Sequence, residues 1–235
     1  MLIRCTILAL LLVLPCCSTD TTEAGGGPEA EHPIAEVVTD EQAIADSFRA
    51  LQDACIAHDG ARAHELFAAA TRAHWVYIKG LALNADKETL RRESMVVQLA
   101  VLVLRAKAGF ETLESLDDVG MIQYALDNGL LGNQMILGNS LRDVEIDGDH
   151  AMSGARHAES GRDLEVRYGF AREGGKWRVD LQPTYAMANE IFAAKRAAHG
   201  VAEDEEEALY FLIGNATGTA GTEALWTPLS DLVGK

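Results

Sequence analysis

Across residues 141–181 apolar positions recur at every second residue, and through most of the remaining body of the chain they recur every three to four. Period two belongs to a strand with one buried face, and the longer period to a helix with one buried stripe. In the first region Leu164, Val166, Tyr168 and Phe170 fall on one face, matched by Trp177, Val179 and Leu181, while Glu165, Arg167, Arg178 and Asp180 point the other way. Asp147-Gly148 and Gly174-Gly175 interrupt the alternation with residues that accept the positive φ angles of tight turns. Two antiparallel hairpins are therefore predicted, and the helices on either side must cover one face of them.

The first helix is announced by Thr39 with Gln42 three residues later, a capping-box pattern, and by the stripe Ile44, Phe48, Leu51 and Cys55. Asp59-Gly60 ends it. A second helix is expected from Ala61, carrying Leu66, Phe67, Trp75 and Ile78. A third is expected from an Asp86 N-cap to Gly109, with Arg105 and Lys107 in its last turn, where cations suit the helix dipole. Its residues 95–104 are apolar almost all round, broken only by Gln98, which marks a central helix and is too short to cross a bilayer. A further helix should run over residues 113–127 and stop at Asn128-Gly129. After the strands, residues 184–199 carry Met187, Ile191 and Ala194 on one face, and a short helix opens in the acidic run 203–207 and ends at Gly214. Residues 215–235, with Gly218, Gly221, Trp226 and Pro228, read as an irregular tail. The predicted fold class is α+β, with N-terminal helices packed on one face of an antiparallel sheet and additional C-terminal helices.

At 235 residues and 48% hydrophobic content the chain can build one sizeable core. Its 36 acidic against 20 basic residues give a net charge of −16, which argues against nucleic acid or an anionic bilayer as a direct partner of the folded surface. Cys5, Cys16 and Cys17 precede the body, leaving Cys55 alone on a core stripe as an inert thiol. No disulfide framework or cysteine zinc site follows from that.

Residues 1–17 combine Arg4, an apolar run over 7–14 and Pro15-Cys16-Cys17. This resembles the bacterial lipoprotein signal, in which a cysteine after Leu and small residues is acylated and becomes the new N-terminus. Cys17, with Leu14 three residues before it, fits best, and Cys16 is the second candidate. The resemblance implies an address in the cell envelope, facing the periplasm or the exterior, and attachment to the lipid bilayer without spanning it. Residues 18–39 are polar and Gly/Pro-punctuated, a tether with an r.m.s. span of about 25 Å.

Familiar catalytic patterns fail on spacing. His64-Glu65 lacks the second histidine of a zinc-protease helix, because position 68 is Ala68. The run from Asp143 to Gly148 begins like a calcium loop, but its twelfth position is Gly154 instead of a bidentate Glu. Gly-x-Ser-x-Gly, P-loop and dinucleotide fingerprints are absent from the sequence, so neither metal nor cofactor is expected. The polar candidates left are His74, Tyr77, Tyr124, Arg156, His157, Arg167, Tyr168 and Asp180.

Helices first, His58-Asp59-Gly60 between them, then Asp147-Gly148-Asp149-His150-Ala151 and the strand, turn and strand from Tyr168 through Gly174-Gly175-Lys176-Trp177-Arg178-Val179, make residues 40–181 similar to the NTF2-like superfamily. The resemblance implies a curved sheet wrapped round helices into a cone with a pocket. Residues 40–214 then form one domain, with the helices of 86–127 as a large insertion and those after 184 as an addition. The superfamily holds binding modules as well as isomerases and cyclases, and the enzymes like ketosteroid isomerase need an inward carboxylate and an oxyanion donor. Tyr168 has the chemistry of such a donor, yet the apolar face of the two clearest strands carries no Asp or Glu. The leading expectation is a membrane-anchored, non-enzymatic domain that binds an apolar small ligand or an envelope protein, with Tyr168, Trp177, Tyr77 and His157 as pocket candidates. Two alternatives stand beside it: a small isomerase- or cyclase-like enzyme with His157 as base and Tyr168 or Tyr77 as donor, and a structural homodimer formed through the polar sheet face.

Overall fold

The computed structural model describes residues 38–131, 136–199 and 205–233. The leader, Cys16 and Cys17, and the tether up to residue 37 lie outside the described residues. Within them the fold is α+β, nine α-helices and a four-stranded antiparallel sheet.

Helix α1 (Asp40–Ile56) begins where the sequence places it, with the Thr39 hydroxyl accepting from Gln42 N at 3.3 Å. Ile44, Phe48, Leu51 and Cys55 form its buried stripe, and burial pushes the Cys55 thiol up to about 11, so it stays a protonated packing residue. The next three expected helices each divide in two. The second becomes α2 (Gly60–Leu66) and α3 (Ala69–Asn84), because Phe67 turns extended, bridges to Val179 and buries its ring completely. The third becomes α4 (Lys87–Leu90), capped by Asp86, and α5 (Met95–Lys107), capped by Ser94. The fourth becomes α6 (Phe110–Ser115) and α7 (Asp118–Asp127), divided where the Asp117 carboxylate accepts from Gly120 N at 2.7 Å. In each of the last two, a residue whose side chain caps a new N-terminus outweighs the continuing apolar period.

The sheet is a meander in the order β1 (Asn139–Asp147), β2 (His150–His157), β3 (Asp163–Glu173) and β4 (Lys176–Asp180), so three hairpins form instead of two. The β1–β2 turn is centred on Gly148 and Asp149, one residue later than expected, since Asp147 pairs with His150 and Gly148 takes φ 58°. At Gly174-Gly175 both φ values are positive, 59° and 76°, as a type I′ turn requires. Phe48 of α1 lies against the inner face, its ring 4.8 Å from Tyr168 and 6.4 Å from Phe170. The sheet bends where the β1–β2 register slips between Arg142 and Glu145, with Asp143 at φ 51°, and where the β2–β3 register slips between Gly154 and Ala155.

Helices α8 (Gln182–His199) and α9 (Glu205–Thr217) follow. The first turn of α8 closes over β3: Pro183 sits where a side chain on Gly169 would be, and the Thr184 hydroxyl donates to Arg167 O at 2.8 Å. The tail is ordered into two 3-10 turns, Glu223–Trp226 and Leu229–Leu232, and buries Trp226 and Leu229. Central α5 buries Val101, Leu102, Val103 and Leu104 in succession, as its all-round apolar pattern requires. Among the described residues no helix is long and apolar enough to cross a membrane.

Candidate functional site

Each of the four expected pocket residues has a partner of its own, and among the described residues no hydrogen bond joins any of them to another. Tyr168, in the middle of β3, is fully buried against Phe48; its hydroxyl accepts from Asn139 Nδ2 at 3.0 Å, and burial pushes the phenol up. The space expected to hold an apolar ligand is there occupied by side chains. His157 ends β2 opposite Asn139, but its imidazole turns to Ser160, whose main-chain N donates to Nδ1 at 3.3 Å, so it closes the β2–β3 turn. Trp177 is buried and donates from Nε1 to Asp40 Oδ1 at 3.0 Å, while the Arg172 guanidinium covers its ring at 4.5 Å and pairs with Asp40. The Trp177 and Arg172 bonds hold the Asp40 carboxyl below the usual range. Tyr77 is 49% exposed on α3 and donates to Glu93 Oε1 at 2.6 Å, a bond that raises its pKa.

Two further candidates are structural. Arg156 pairs with Asp163 at 2.8 Å. Asp180, expected on a solvated face, accepts from Thr71 Oγ1 at 3.2 Å and from Gln182 N at 3.0 Å, tying β4 to α3 and to the start of α8.

The double register slip leaves a surface cleft of about 370 Å³ at the bulged end of the sheet. Gly154 forms part of its lining, with Arg142 so close that a Cβ on Gly154 would lie 3.1 Å from the guanidinium nitrogen Nε. Leu164 and Val166, half-buried at the margin of the core, supply apolar lining; Asp143, Glu145, Glu165, Arg142 and Arg167 bring charge of both signs. Arg167 pairs with Glu145 at 3.1 Å, and Arg142 reaches Asp163 at 3.5 Å and the neighbouring Asp143. One signal in the sequence marks the place: Leu141 and Val144 stand three apart within a period-two run, the slip that an inserted bulge residue produces.

A second cleft, of about 280 Å³, lies between α4, α5, α9 and the tail, lined by Arg91, Gln98, Glu205, Glu206, Leu209 and Trp226. Its polar groups are tied to one another. Glu206 accepts from Tyr210 Oη at 2.7 Å and pairs with Arg91 at 2.7 Å and Lys87 at 2.9 Å; the Trp226 indole donates to Tyr210 Oη at 2.9 Å and lies 5.1 Å from Lys87 Nζ. The Tyr210 bond, with those of Lys87 and Arg91, holds Glu206 down to about 2, and burial drives the Tyr210 phenol up. These contacts fasten the tail to α4 and α9, through Lys87 with Glu206 and Glu223 and through Trp226 with Tyr210.

Among the described residues no group of three His, Cys, Asp or Glu side chains is placed to hold a metal ion. Neither a protein-family model, nor a curated protein, nor a solved structure matches this chain.

Proposed function

We propose that this chain is a membrane-anchored, non-enzymatic domain of NTF2-like type that binds a protein of the cell envelope at the bulged end of its sheet. The observation carrying the reading is the cleft between Arg142, Gly154 and Arg167, whose lining combines apolar Leu164 and Val166 with charges of both signs. A partly apolar centre within a polar rim is the usual anatomy of a transient protein interface. Of the two binding expectations the protein partner is favoured over the apolar ligand, since Tyr168 and Phe48 fill the inner face of the sheet. Helix α1 laid on that face supports the NTF2-like resemblance. The envelope address rests on the leader and Cys17.

The test is photo-crosslinking of the full-length chain in its own cells, with the reactive residue at exposed Glu165 and a control at exposed Arg62 on α2. A discrete adduct from position 165 that weakens with Arg167→Glu is expected. No adduct, or the same adducts from both positions, would overturn the reading, and an adduct of twice the chain's mass would replace the envelope protein by a second copy.

A further inference from the structure

His74 is a half-buried imidazole whose Nε2 has an unmet need. It stands on α3 beside Trp75, and the two consecutive residues hold one residue of α8 between them. The imidazole stacks on Tyr185, ring centroids 4.7 Å apart and planes 25° from parallel, while the Trp75 indole donates to Tyr185 Oη at 3.1 Å. One α-helical turn further on, Asn189 Oδ1 accepts from Val96 N at 3.0 Å, so α8 is clipped to both α3 and α5. Within this seat His74 Nε2 is shut off from water and has no hydrogen-bond partner among the described residues. A neutral ring tolerates that position at modest cost, whereas a charged ring leaves an ionic N–H unsolvated, which costs far more.

We propose that α8 is a pH-sensitive flap on the sheet, seated while His74 is neutral and lifted when His74 takes up a proton. Lifting would uncover Gly169 of β3, which Pro183 now covers, and free the main-chain oxygen of Arg167 from Thr184; the exposed Arg167 side chain is also a wall of the bulged-end cleft. The flap bears on the binding reading only through that shared border, and its test reads α8 directly, so either can fail alone.

The groups facing His74 set the sign. From the α4–α5 connection the facing carboxylate is Glu93, which accepts from Tyr77 Oη and favours the charged ring; from α8 the facing titratable group is the Tyr185 phenol, kept protonated by burial. Burial is the larger influence on His74 and holds its pKa below the ordinary value. A histidine depressed in the seated state contributes its full stabilisation above its ordinary pKa of about 6.5, and that contribution declines as pH falls below it.

Amide hydrogen exchange on the full chain, corrected for intrinsic rates, tests this at pH about 7.5 and about 5, on either side of the histidine range. Protection of α8 should fall at the lower pH, with α1 unchanged, since proton uptake by the lifted state favours lifting as pH drops through the histidine range. His74→Phe keeps the stack without a titratable nitrogen and should abolish the difference. Glu93→Gln, which removes the favouring charge, should enlarge it. Equal α8 protection at both pH values, equal loss in α1 and α8, or an undiminished difference in His74→Phe would each overturn the flap. Should the Phe variant not fold, a difference that fails to grow in Glu93→Gln overturns it as well.

Discussion

Arg105 is 6% exposed, and its guanidinium donates to five main-chain oxygens: those of Leu81, Ala82 and Ala85 at the end of α3, and those of Leu225 and Trp226 in the tail. Burial lowers its pKa to about 10, still far above neutrality, and the α3 C-terminus supplies the negative end of a dipole where a carboxylate would usually sit. Arg105→Met should strand several of these oxygens and cost about 3 kcal/mol or more at about 1–3 kcal/mol per unmet buried group. Differential scanning calorimetry should then read a Tm lower by about 6–12 °C, at about 2–4 °C per kcal/mol for a chain of this size. In the sequence Arg105 reads as a cation serving the end of its own helix, a surface role. That α3 ends beside it is a tertiary fact with no local trace. Cys55 is the opposite case, because its place on the stripe with Leu51 and Phe48 already determines burial.

At the scale of elements, start signals were legible and breaks were less so. Thr39, Asp86 and Asn128-Gly129 each mark a real helix end. Ser94 and Asp117 have the same cap chemistry but lie inside apolar-periodic runs, where the period masks them. The break at Phe67 has another origin: no local residue forbids helix there, and the bridge to Val179, 112 positions away by subtraction of the two numbers, decides it. The junction of α8 with β3 is equally non-local. A Cβ on Gly169 would lie 2.8 Å from both Asp180 O and Pro183 Cγ, one of them rigid main chain. Gly169→Ala should therefore destabilise the fold by about 1–3 kcal/mol, the usual cost of overpacking, seen as a lower denaturant midpoint with an unchanged m-value. The same change forces α8 off the sheet at neutral pH, so its α8 amides should exchange faster than those of α1.

For the molecule as a whole, the acidic balance of −16 and the resemblance of residues 1–17 to a lipoprotein leader support the proposal that a lipid, and not the folded surface, holds the domain on a membrane. Cys17→Ala in the full-length chain should move the protein from the membrane fraction to the soluble fraction, or leave the leader uncleaved, as followed by fractionation and N-terminal mass. Unchanged attachment and processing would transfer the role to Cys16.

Period and punctuation alone determined the α+β class, the helical stripe of α1, the largely buried α5 and the two glycine-bearing hairpin turns, because each depends on residues within one or two turns of one another. Tertiary structure decided everything that needs two distant segments to meet. It filled the inner sheet face by setting Phe48 on Tyr168, sent Asp180 to Thr71 and Arg105 to the tail, and drew a third hairpin out of the stretch between His157 and Asp163. It also gave His157, Tyr168, Trp177 and Tyr77 each a hydrogen-bond partner of its own. A face is a local property of the chain, whereas a pocket depends on which faces pack together and how completely their side chains fill the space between them.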